Sequence, residues 1–252
     1  MIEPQDTNEA AESGRCGPTS SGRLYALSAG MTGYTTMVTG ETMQKLVISW
    51  CDFTGNMVQP WADAGYLCYC VDMQHPPGET RQGNVIKVGA NMLDWLPPKG
   101  DIVFQSFFPP CTDVAVSGAR WFRDKGLGKL IGALQLFKRS VDMAELVGAP
   151  YLIENPVSTV STYWRKPDHV FDPCDYGDPY TKKTCLWTGG GFVMPTKNRI
   201  KPTEGSKMHL LPPSADRANL RSATPMGFAR AIFEANSGTP CEAIAVKIDS
   251  WL

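Results

Sequence analysis

The chain lacks any uninterrupted apolar run of about 20 residues, so no stretch of it reads as a membrane-spanning helix. It is poor in histidine, with three, and none of its eight cysteines form a Cys-x-x-Cys pair. A zinc site is therefore not expected, nor any other metal centre. No excess of one charge stands out either: 24 Lys and Arg balance 25 Asp and Glu, a net charge of -1. No global basic field advertises nucleic acid, and any grip on it must come from local patches. Residues 1–15 are polar and acidic, with no apolar signal region. The expectation is a soluble, intracellular protein. Cys51, Cys68, Cys70 and Cys185 lie in or beside apolar runs and read as small core residues of a reducing compartment. Internal repeats are also missing.

What is present is a rhythm of apolar strands and one long helical pattern. Residues 1–44 read as a polar tail and lead-in, with a hairpin possible among residues 23–44; residues 45–252 read as one α/β domain. Lys45–Trp50 is the first strand expected. A helix is expected over Met57–Ala64, ended by Gly65. Further strands are expected at Leu67–Val71, Val85–Val88, Asp101–Ser106 and Tyr151–Ile153. Apolar residues at 127, 130, 131, 134, 137, 141, 144 and 147 predict a helix that Gly148-Ala149-Pro150 stops. Strand, helix and strand in this order predict a mostly parallel, Rossmann-like sheet. Residues 165–181 read as loop, Thr184–Trp187 as a strand, and residues 188–218 as a short loop region made basic by Lys197, Arg199, Lys201, Lys207 and Arg217 against Glu204 and Asp216. Thr224–Asn236 reads as the last helix.

Two short motifs sit just past expected strands. Pro109-Pro110-Cys111 follows one, and Glu154-Asn155-Pro156 follows another across the helical crossover. In an open parallel sheet, ligands bind at that edge. A cysteine stiffened by two prolines and followed by a helix start is a candidate nucleophile, its thiolate favoured by the helix amides. The plain alternative is an inert buried thiol. A glutamate in the same cleft would have its pKa raised by desolvation and could donate a hydrogen bond while neutral. The plain alternative is a helix cap. Thr54-Gly55-Asn56, after the first strand, and Asp72, 17 residues beyond Gly55, have the look of a nucleoside-binding turn and its ribose acid. An ordinary strand-helix turn is as good an account of that pair alone. Lys182 and Lys183, ahead of a strand, suit a phosphate or a base carbonyl, or simply a solvated strand start.

Taken together and in order, these motifs resemble the cytosine carbon-5 methyltransferase family. Trp50-Cys51-Asp52-Phe53-Thr54-Gly55 resembles its cofactor loop, Val71-Asp72 its ribose acid, Pro109-Pro110-Cys111 its Pro-Cys loop, Glu154-Asn155-Pro156 its Glu-Asn-Val motif, and Arg221-Ser222-Ala223-Thr224-Pro225 its Arg-x-x-Thr-Pro element. The resemblance implies a Rossmann-like S-adenosylmethionine-dependent methyltransferase sheet with a very small or absent target-recognition region. It implies that Cys111 adds to carbon 6 of cytosine, that Glu154 hydrogen-bonds ring nitrogen 3 and the exocyclic amine, and that Lys182 or Lys183 approaches the base carbonyl. S-adenosylmethionine would lie against Thr54, Gly55, Asn56, Met57, Asp72, Met73, Asn91 and Pro109; the substrate would touch Thr112, Asn155, Pro156, Lys197 and Arg199. The implied partner is DNA, duplex or single-stranded, with the base flipped out of any stack. The compact form resembles members carried by phages and prophages, which places it in the cytoplasm of a bacterial host. Two other readings stand beside this one. The same chemistry could serve single-stranded DNA, RNA, a free cytidine nucleotide or a larger transferred group. Alternatively, the chain could be an inactive relative that binds nucleic acid.

Overall fold

The computed structural model describes residues 44–238. The lead-in expected before residue 44, and Cys16 and Cys241, lie outside the described residues. The strands are β1 (Lys45–Trp50), β2 (Leu67–Val71), β3 (Gly78–Gln82), β4 (Val85–Gly89), β5 (Asp101–Phe107), β6 (Tyr151–Pro156), β7 (His169–Phe171) and β8 (Thr184–Gly189). The helices are α1 (Gln59–Asp63), α2 (Phe122–Val147), α3 (Val160–Tyr163), α4 (Lys207–Leu210), α5 (Arg217–Ser222) and α6 (Met226–Asn236). The eight strands form one sheet in the order β3-β4-β2-β1-β5-β6-β8-β7. β4, β2, β1, β5 and β6 run parallel, whereas β3 and β8 run against their neighbours. From β1 the chain builds outward through β2 and β4, then returns to lay β5 on the other side of β1. The strand order therefore reverses between β1 and β5, where an α/β sheet opens a crevice at the strand ends.

The central strands are continuous apolar runs because both faces of the sheet are covered. On one face, Ile48, Trp50, Phe107, Ile153 and Trp187 pack with Phe137 and Met143 of α2. On the other, Val47, Phe104, Leu152 and Leu186 pack with Trp61 of α1 and Phe228, Ile232 and Phe233 of α6. Trp61 is fully buried, stacked on Phe104 at 4.9 Å and edge-on to Phe233 at 5.1 Å. Trp61→Ala should cost about 3–5 kcal/mol, read from the denaturant midpoint.

Several expectations need correction. β3 was not foreseen, because Gly78-Glu79-Thr80-Arg81-Gln82 is an exposed edge strand with no apolar alternation. β7 lies inside the stretch read as loop, α4 lies inside the stretch read as basic loop, and α5 begins at that stretch's end. α1 starts at Gln59, with Met57 and Val58 buried in the turn before it. α2 starts at Phe122 instead of Leu127, and its helical path breaks at Gly126, with φ 73° and ψ 171°. Its end is as read: Gly148 adopts φ 71° and returns its N–H to Ala144 O.

α6 begins at Met226, and Gly227 decides how closely its first turn approaches the rest of the fold. A Cβ there would meet Tyr176 O at 2.0 Å. Gly227→Ala should lower stability by about 2 kcal/mol, seen as a fall in Tm, by pushing the Thr224-Pro225 segment off the sheet edge.

Candidate active site

The site divides into two halves at the carboxyl ends of the strands. The first half follows β1, β2 and β4. Cys51 leaves β1 in the left-handed region, φ 55°, with its N–H donating to Val71 O at 2.7 Å. Asp52 is buried and accepts from Ser49 Oγ at 2.8 Å, Thr54 Oγ1 at 3.1 Å and Gly55 N at 2.8 Å. Ser106 Oγ of β5 donates to Ser49 Oγ at 2.9 Å, so the network spans the switch point. Burial raises the Asp52 pKa, and the bonds it accepts pull it back. Gly55, at φ 74°, makes the turn that other residues adopt only with strain.

Asp72 ends β2; its Oδ1 accepts from Gln74 N at 2.8 Å. Met73 beside it is exposed, and Asn91 after β4 accepts from Leu93 N at 3.0 Å. Thr54, Gly55, Asn56, Asp72, Met73 and Asn91 thus share one edge. Met57 does not open onto it: it is wholly buried in the core beside Val58 and Trp61. Sequence reasoning missed a ring pair in this half. Phe53 stacks on His75 at 5.3 Å, and the buried Nε2 of His75 has no hydrogen-bond partner. The partly exposed Phe53 ring, beside Asp72 at the end of β2, is a surface on which an adenosine group could stack and bond.

The second half follows β5 and β6. Those strands pair in parallel, Gln105 opposite Tyr151 and Phe107 opposite Ile153, so their exits lie side by side. Asn155 Nδ2 donates to Pro109 O at 3.1 Å and ties the two exit loops together. Cys111, Glu154, Lys182 and Arg221 lie close enough that Glu154, Lys182 and Arg221 all act on the Cys111 thiol. Lys182 Nζ stands 4.0 Å from Glu154 Oε1. A narrow crevice opens between them, lined by Phe108, Glu154, Lys182, Thr184, Ser222 and Thr224. Asn56 Nδ2 donates to Thr224 O at 3.0 Å, joining this half to the first.

The Glu154 side chain is 15% exposed, yet its Oε1 is covered and unpartnered. Burial raises its pKa, and Lys182 opposes the rise. The Cys111 thiol is also pushed up, first by burial and then by Glu154, while Lys182 and Arg221 pull it down. No helix start sits at the sulfur: Cys111 O accepts from Val114 and Ala115, and the next turn is the 3₁₀ segment Val116–Trp121. The expected thiolate is therefore corrected to a resting thiol.

The remaining expected contacts divide. Lys182 faces the crevice and Lys183 is exposed. Pro156 sits opposite Thr184 in the β6–β8 ladder. Thr112 is exposed, and its carbonyl accepts from Lys125 Nζ at 2.7 Å. Lys197 and Arg199 both pair with Asp175, the former at 2.9 Å, and Arg199 also reaches Asp172 at 4.0 Å. Their counterions come from the 3₁₀ turn Pro173–Tyr176 and from Asp172, which caps it, not from Glu204 or Asp216. Arg221 is a further residue at the crevice whose role the sequence did not reveal; it forms no ion pair among the described residues.

Among the described residues there is no group of three or more His, Cys, Asp or Glu that could hold a metal, and no helix long and apolar enough to cross a membrane. No protein-family model matches the chain, and no curated protein matches it.

Proposed function

We propose that the protein is an S-adenosylmethionine-dependent cytosine carbon-5 methyltransferase that acts on cytosine in nucleic acid through a covalent adduct at Cys111. One observation carries this reading: Glu154 and Lys182 face each other in one crevice and both act electrostatically on the Cys111 thiol, which leaves the neighbouring strand beside an acid-bearing edge suited to a nucleoside. The strand-order reversal between β1 and β5 supports it, since it sets both halves on one edge of the sheet.

The chemistry needs those groups. Carbon 5 of cytosine is a weak nucleophile. Addition of the Cys111 sulfur to carbon 6, with a proton given to ring nitrogen 3 by Glu154, makes carbon 5 enamine-like. Lys182 lies where it can hold the carbonyl oxygen and stabilise charge on the ring. S-adenosylmethionine supplies an electrophilic methyl group. Asp72 and the Thr54–Asn56 turn would hold its adenosine end, with the exposed Phe53 and Met73 as apolar cover. With the methyl group on carbon 5, S-adenosylhomocysteine would be the leaving product; loss of the carbon-5 proton to solvent, return of the nitrogen-3 proton to Glu154 and departure of the Cys111 sulfur from carbon 6 as a thiolate would then release 5-methylcytosine.

An oligonucleotide bearing 5-fluorocytosine tests this directly. Fluorine at carbon 5 cannot leave as a proton does, so the adduct should persist. With donor present, a stoichiometric band stable to denaturant should form, and peptide mapping should place it on Cys111. No band with 5-fluorocytosine in single-stranded or duplex form would sink the proposal.

A further inference from the structure

The stretch from Val116 to Ile131 is exposed in a way that core packing does not explain. None of its residues is buried, although Trp121 is 52% and Leu127 70% exposed. It carries Arg120, Arg123, Lys125 and Lys129 against Asp124 alone. Lys125 is held by Asp113 at 2.8 Å; Arg120, Arg123 and Lys129 form no ion pair among the described residues. The Arg120 guanidinium lies 5.1 Å from the centre of the Trp121 ring. An open hollow of about 230 Å³ runs along the same face, lined by Asp113, Phe122, Arg123, Lys125, Leu127 and Lys129.

This face is fixed to the crevice. Ala115 N donates to Cys111 O at 2.8 Å, Val116 N to Val157 O at 3.0 Å, and Lys125 Nζ to Thr112 O at 2.7 Å. It therefore leads away from the Cys111 loop. We propose that the Val116–Ile131 face binds single-stranded nucleic acid on either side of the target cytosine, with Trp121 as a stacking platform and Arg120, Arg123 and Lys129 as phosphate contacts. The proposal rests on the reading of the crevice as a cytosine site and adds the form of its substrate.

Two features favour a single strand over a duplex. A tryptophan ring stacks on the face of a base only when that base is unpaired and unstacked, and a cationic groove with an aromatic ring is how sequence-tolerant single-strand binders work. A duplex reader needs an element that enters a groove with directed side chains. Between β8 and α6 the chain offers only helices of four and six residues, and Lys197 and Arg199 of that region are engaged by Asp175.

Fluorescence anisotropy of the full chain tests this without donor and without chemistry. The probes are a labelled cytosine-containing 12-mer as a single strand, the same sequence as a duplex, and anionic phospholipid vesicles. The single strand should bind at least about tenfold more tightly than the duplex. Trp121→Ala should weaken it about tenfold, and Trp121→Phe should restore most of the loss. Arg123→Ala with Lys129→Ala should lower the slope of log K against log salt by about 1.4, two phosphates at about 0.7 each. These positions are exposed, so unchanged Tm values would show that folding is intact. Equal or tighter duplex binding, preference for vesicles, or full affinity in Trp121→Ala would overturn the proposal. Failure of the methyltransferase reading shows separately, as absence of the fluorocytosine adduct with single-strand binding retained.

Discussion

Replacing Cys111 by alanine should cut methyl transfer by roughly 10⁴-fold or more, the scale on which enzymes lose their covalent nucleophile. Donor binding, followed by calorimetry, should stay within about twofold, because the donor edge is built from the ends of β1, β2 and β4 and Cys111 comes from the end of β5. On the proposed mechanism the sulfur is the group that adds to carbon 6, and without it carbon 5 keeps its aromatic weakness. Cys111→Ser should fail nearly as badly. Its hydroxyl is far less acidic than a thiol, and burial, with Glu154 beside it, works against any anion at this position. Cys111 is only half-buried, so the alanine variant should lose little stability. A variant that keeps more than about a tenth of the parent rate would mean that another group carries the chemistry.

That the chain segments bearing residues 111 and 154 leave neighbouring strands was legible because it follows from the sheet. β1, β2, β5 and β6 are covered on both faces, so each reads as a continuous apolar run. Two such runs joined by a helical crossover lie parallel, and their exits share an edge. The side-chain period of a strand also bears on the lysine pair. Thr184 opens β8 as a buried residue, and Lys182, two positions earlier, faces the crevice while Lys183 points away.

Other placements were not legible, each for a physical reason. Met57 follows a turn that resembles a nucleoside loop, yet only the packing of Trp61 and Val58 around it makes it core. Lys197 and Arg199 looked unpaired because their counterions, Asp172 and Asp175, precede them by more than twenty residues and meet them through a tight turn. The β3 edge carries no apolar alternation, and β7 is three residues long, so neither gives a periodic signal. The state of the Cys111 thiol depends on burial and on Glu154, neither of which local sequence reveals. The prolines before it promised direction, and the structure supplies that direction through the Asn155–Pro109 bond.

Glu154→Gln should separate stability from catalysis. The reactive form needs a neutral Glu154 and an ionised Cys111, and burial raises the pKa of both. The reactive pair therefore holds one proton between the two groups, placed on Glu154. The profile of kcat/KM against pH should then be flat between the two pKa values. It should fall on the acid side, where the pair carries one proton too many, and on the alkaline side, where it carries one too few. Glutamine cannot give a proton to ring nitrogen 3, so the rate should drop about 10²–10³-fold. Its alkaline limb should vanish, and activity should climb with pH until Cys111 ionises. That ionisation should move to lower pH, because the push from Glu154 is gone. Stability should move the other way. The folded pKa of Glu154 lies above the unfolded one, so the parent is most stable with Glu154 protonated and loses stability as pH rises from the ordinary carboxylate range through the raised value. Glutamine escapes that loss, and above this window the variant should be more stable by about 1 kcal/mol, measured by denaturant unfolding at several pH values. A variant that is both inactive and less stable at every pH would show that Glu154 is a structural support and not a proton donor.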